Sequence, residues 1–119
     1  MQKFLVLYMA PATLMSEWMQ KPEAERKAAE QKMRGEWGVW MQAHKGLLTG
    51  MTAGTGKTKR VTAQGTEDVK NDIMLYSIAE GTSPDEVAKA FETHPHFGIP
   101  NATIEVMPIN PLPGMSGMQ

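Results

Sequence analysis

The order of elements along the chain predicts an α+β protein of the ferredoxin-like βαββαβ kind, with a four-stranded antiparallel sheet carrying its helices on one face. Three observations lead there. The chain opens on an apolar run rich in aromatic and β-branched residues, Lys3 to Met9. A long region with apolar residues at helical spacing follows it. The second half repeats the pattern, with a strand at Asp72 to Ala79, a helix begun at Ser83 and a last strand at Ala102 to Ile109.

Lys3 to Met9 reads as the first strand, and Pro11 ends it. The opening "MQKFLVLYMAPA" also has the outline of a signal peptide, but its apolar run is short and its basic region is a single lysine, so the strand is the better reading. A helical region covers about Thr13 to His44 and is interrupted near Pro22, because the residue before a proline is pushed out of helical geometry. It divides into a short helix over Met15 to Gln20 and a long one. In the long helix Met33, Trp37, Trp40, Met41 and His44 form one apolar stripe, while Glu25, Arg26, Lys32 and Glu36 lie largely off it. Gly46 supplies the stop. Gly35 and Gly38 inside the helix each cost about 1 kcal/mol against alanine, which points to a kink or to close packing there.

Leu47 to Thr49 and Lys57 to Thr62 are extended pieces joined through glycines, and Gln64 to Lys70 reads as a polar connection. The "GTGKTK" within this stretch is not a phosphate loop: the pattern needs glycine where Met51 stands, and the next residues, "KRVT", are strand-like rather than helical. Asp72 to Ala79 is a strand. The next helix has the best start signal in the chain, with Ser83 as N-cap, Pro84 at the first helical position and Glu86 completing a capping box. Residues 1–109 thus make one domain, and 110–119 form a Pro/Gly-rich tail whose first half is expected to lie against a dimer.

The central strands are apolar on both faces. Phe4, Val6 and Tyr8 oppose Leu5, Leu7 and Met9, and Ile73 and Leu75 oppose Met74, Tyr76 and Ile78. Helices cover one face only, so the pattern predicts that an identical sheet from a second subunit covers the other.

The segments "KFLVLYMAP", "WGVWMQAHKG", "AEGTSPDEVAKAFETHP" and "IEVMPI" resemble the YCII-related and DGPF-domain group of small bacterial proteins, over nearly the whole chain. That resemblance implies a dimeric α+β barrel. It leaves the activity open, since the superfamily mixes enzymes, ligand binders and regulators.

Twelve basic against thirteen acidic residues leave a charge of −1, which argues against nucleic acid and against an anionic membrane surface as partners. No segment approaches the ~18 apolar residues of a membrane span. The chain has no cysteine, which removes disulfide and thiolate chemistry and is compatible with a cytoplasmic location.

Chemistry must then come from other groups, and "FETHPHFG" concentrates two of the three histidines. Val87, Phe91 and His94 fall on one helical stripe, so His94 is expected in the last turn of the second helix, facing inward, with Pro95 ending the helix. His96 is expected in the loop beyond, packing Phe97. Two functions remain side by side. In one, His94 is a general base in an interior small-molecule pocket, assisted by Asp72, with His96, His44, Glu105, Tyr76 and Arg60 as ligand-binding candidates. In the other, the histidines complete helix ends and the protein is a non-catalytic homodimer. Histidine–X–histidine across a proline is a poor metal signal, so no metal site is assigned, and no cofactor is named. Glu105 is expected to face the second sheet with Thr103 and Met107, where it needs either a cation such as Arg60 or a polar cavity.

Overall fold

Alternation in the first strand decides the architecture. Phe4, Val6 and Tyr8 are fully buried, whereas Leu5, Leu7 and Met9 between them are half-buried. The computed structural model describes residues 1–114. In chain order it contains β1 (Gln2–Met9), α1 (Ala12–Met19), α2 (Glu23–Ala43), β2 (Leu48–Gly54), β3 (Thr58–Thr62), β4 (Gly65–Val69), β5 (Ile73–Gly81), α3 (Pro84–Ala90) and β6 (Thr103–Pro108). Two 3-10 turns, Phe91–Thr93 and Pro95–Gly98, lie between α3 and β6.

The main sheet has four strands in the order β2-β5-β1-β6, and the pairings of β1 with β5, β1 with β6 and β2 with β5 are all antiparallel. This α+β arrangement is compatible with a ferredoxin-like fold. Trp40 of α2 and Val87 of α3 close one face of the sheet, packing with Phe91 on Phe4, Val6, Tyr8 and Ala79. Ile104 and Val106 of β6 join this cluster from the sheet edge, as their strand phase predicts. Gly81 lets α3 approach: a Cβ there would collide with Val87. The Ser83 side chain accepts the Glu86 N–H at 3.2 Å, while the Glu86 carboxylate bonds the neighbouring Thr82 hydroxyl instead of closing the box.

Three details differ from expectation. Residues 57–62 do not join the main sheet: β3 pairs with β4 as a separate two-stranded hairpin, so the polar connection over 64–70 is itself largely a strand. Its cross-strand ion pairs, Lys59 with Asp68 and Arg60 with Glu67, support it where apolar alternation is absent. Helix α3 stops at Ala90 and the chain tightens into a 3-10 turn, so His94 sits beyond the helix in an extended conformation (φ −67, ψ 138), as a residue preceding a proline must. Finally, α2 runs unbroken through Gly35 and Gly38, and a Cβ at either would meet nothing within 4 Å, so these glycines mark neither a break nor close packing within the chain.

Among the described residues no helix packs on the other face of the sheet. Across β5, β1 and β6 the register places Tyr76, Leu7 and Glu105 in one row and Ile78, Leu5 and Met107 in the next. Asn110 to Gly114 are exposed in the single chain, and the tail methionines Met115 and Met118 lie outside the described residues. No helix among the described residues is long and apolar enough to cross a membrane.

Candidate functional site

The two prolines of "THPHFGIP" fold the segment between α3 and β6 back onto the core, which buries both histidines: His94 is 2% exposed and His96 1%. His94 Nδ1 accepts the backbone N–H of His96 at 2.9 Å, so its side chain caps the Pro95–Gly98 turn. That bond requires a lone pair on Nδ1, which assigns the proton of the neutral ring to Nε2. Burial, reinforced by the charges of His96 and His44, lowers the His94 pKa to about 4, so the ring is neutral at pH 7.

His96 anchors the turn to the sheet, its Nε2 donating to the Met9 carbonyl at 2.9 Å. Burial lowers its pKa too, against the opposing pull of the Met9 and Thr103 carbonyls. His96 thus lies in the turn with its ring 6.4 Å from that of Phe97, and it is fully buried whereas Phe97 remains 45% exposed.

Aromatic rings wall His94 on several sides. Trp37 stands perpendicular to it with centroids 4.3 Å apart, Trp40 lies at 4.5 Å, Tyr8 at 5.2 Å and Phe91 at 5.9 Å. His44 stacks on Trp40 at 4.4 Å and directs Nδ1 to the Trp40 carbonyl at 2.8 Å. The helical stripe of α2 and His94 thus meet. Two polar atoms in this cluster are buried without a partner among the described residues, His94 Nε2 and Trp40 Nε1. Both are N–H donors.

A hydroxyl chain runs beside the cluster. Tyr8 Oη lies 2.8 Å from Ser77 Oγ, which lies 2.6 Å from Thr52 Oγ1. The pairing of β2 with β5 slips between Thr49 and Ala53, at a bulge that includes Gly50 with φ +73, and Thr52 within it reaches Ser77. Burial raises the Tyr8 pKa, with the hydrogen bonds from Ser77 and Thr52 opposing. Sequence reasoning names none of the three as a site residue. The signal is present in Tyr8, whose phase sets it inward with Phe4 and Val6, because a buried phenol needs a polar partner.

The remaining candidates lie apart. Asp72 accepts the Ala12 N–H at 2.9 Å and so holds the start of α1, with no hydrogen bond to a histidine. Tyr76, 39% exposed, and Glu105 flank Leu7 on the open face of the sheet. Arg60 pairs with Glu67 at 3.8 Å in the hairpin, not with Glu105. Among the described residues no group of three or more His, Asp or Glu side chains is placed to hold a metal ion. As arranged, the histidine cluster offers hydrogen-bond donors and a rigid aromatic wall. No protein-family model matches the chain, and no curated protein matches it either.

Proposed function

We propose that the protein works as a homodimer, the open face of its sheet meeting the same face of a second copy in the manner of the dimeric α+β barrels, and that its histidines serve the fold rather than a reaction. The resemblance to the YCII-related and DGPF-domain proteins and a cytoplasmic location belong to the same reading. One observation carries it: Leu5, Leu7, Ile78 and Met107 form an apolar patch, with Tyr76 and Glu105 flanking Leu7, on a face that no element among the described residues covers. Contiguous apolar surface of this kind marks an interface, and an isologous contact covers it with no other partner. Tyr76 and Glu105 would then line the space between the two sheets, where each can find a polar partner on the other subunit. The histidine part is supported by the bond from His96 N–H to His94 Nδ1 and by the tether of His96 to Met9, which use both rings for structure. Sedimentation at micromolar concentration tests the assembly, with a dimer expected, and His94→Gln should leave that mass unchanged. A 13 kDa species alone would refute it.

A second reading, a small-molecule pocket built on His94, is favoured by a separate observation: the two buried donors that no protein acceptor satisfies. A buried unpaired N–H costs roughly 1–3 kcal/mol, which a ligand acceptor would recover.

A further inference from the structure

We propose that the aromatic cluster around His94 and Trp40 binds a small organic carboxylate, entering through the cleft at the C-terminal end of α2. This rests on the pocket reading of the His94 cluster and is independent of dimerisation.

The interior groups set the sign of the ligand. His94 Nε2 carries the proton because Nδ1 is occupied as an acceptor, and Trp40 Nε1 is a donor by constitution. Two donors on rings 4.5 Å apart need an acceptor, and they offer nothing to an ammonium or a metal cation. Trp37, perpendicular to the His94 ring at 4.3 Å, would compete for that donor only through an N–H to π contact, which is weaker than a conventional hydrogen bond.

The cleft sets the route and the shape. A space of about 250 Å³ is lined by Trp40, Met41, His44, Lys45 and Leu48 among others, with no carboxylate in its wall. Lys45 supplies a cation at its mouth, and the stacked Trp40 and His44 rings, with Met41 and Leu48, supply flat apolar walls. The last carbonyls of α2 would oppose an anion, but those of Trp40, Met41 and His44 already accept bonds from His44 N–H, His44 Nδ1 or Leu47 N–H. Both orphan nitrogens are closed to solvent, so binding requires side chains of the cluster to move. The acid that fits carries a flat apolar group that lies along these walls, its carboxylate between Lys45 and the indole N–H.

Benzoate and its neutral isostere benzamide test this, read through the Trp40 indole N–H resonance of the full-length chain by nitrogen-proton correlation NMR. Saturable movement of that resonance is expected with benzoate, with benzamide at least about tenfold weaker, the usual margin for a charge-assisted bond. Lys45→Gln, at an exposed position, should weaken benzoate several-fold and leave benzamide unchanged. Equal affinity for the two ligands would overturn the carboxylate class while the pocket stands. An unmoved Trp40 resonance with both would overturn the pocket and the ligand class together, leaving the donors to the Trp37 face or to water. Benzoate binding that neither moves Trp40 nor responds to Lys45→Gln would place the ligand elsewhere and overturn the assignment.

Discussion

Phe4, Val6 and Tyr8 on one face of β1 are completely buried, while Leu5, Leu7 and Met9 on the other are half-buried, although the two sets offer comparable apolar area. The strand supplies both faces equally, and only one receives helices. On the covered face the Tyr8 hydroxyl is satisfied within the chain, bonded to Ser77 and through it to Thr52, although the His94 and Trp40 ring N–H groups are not. On the open face Glu105 and Tyr76 flank Leu7 with no hydrogen bond to another side chain among the described residues. One face closed by helices and one left open on the same strands make the open face the place to test for a second copy.

The largest effect should come from the covered face. Phe4→Ala removes a ring with no exposure and leaves a cavity, so a loss of about 3–5 kcal/mol in urea denaturation is expected. A loss below about 1 kcal/mol would mean that the two faces are not energetically distinct.

Acid comes next. His94 has a folded pKa of about 4 against an unfolded value near 6.5. As pH falls the unfolded chain takes up this proton first, so stability is full above about pH 6.5, declines from there to about pH 4, and levels below it. The His94 contribution to that decline is about 3 kcal/mol, and His96 acts in the same direction. In His94→Gln the decline measured by denaturation across this window should shrink. A full-sized decline in the variant would assign it to other groups.

Smaller still is Tyr8→Phe, which deletes the end of the hydroxyl chain but leaves Ser77 bonded to Thr52. A cost of about 1 kcal/mol is expected, and no change in thermal midpoint would mean that the hydroxyl chain does not stabilise the covered face. Gly35→Ala addresses a third surface, the outer side of α2. A Cβ there meets nothing in the chain, so the helix should gain about 0.5–1 kcal/mol. Destabilisation would reveal that this side of α2 is itself packed against a partner.

Much of the fold is legible in the sequence because its signals are local. The inward phase of Phe4, Val6 and Tyr8, the Ser83 cap with Pro84, and Gly46 at φ +86 after α2 each carry their own explanation in adjacent residues. The β3–β4 hairpin is hidden because its stabilising contacts are charge pairs across strands, not apolar alternation. Helical phase puts His94 on the correct side of the chain but in the wrong element. Its burial follows the phase of Val87 and Phe91, yet Pro95 forces it out of the helix, as Pro22 forces the break before α2. The partners of the site are less readable still, since Thr52 reaches Ser77 through a bulge and Trp40 reaches His94 through tertiary packing.

Sedimentation equilibrium of the wild-type chain beside Leu7→Glu tests the meaning of the two faces most directly. Leu7 is half-buried in the single chain, at the centre of the uncovered row, so a carboxylate there should leave the monomer folded by circular dichroism. The wild type is expected near twice the 13.1 kDa chain mass and the variant near 13.1 kDa. A wild type that remains at 13.1 kDa at high micromolar concentration, or a variant that stays dimeric, would contradict the assignment of the open face to a second copy.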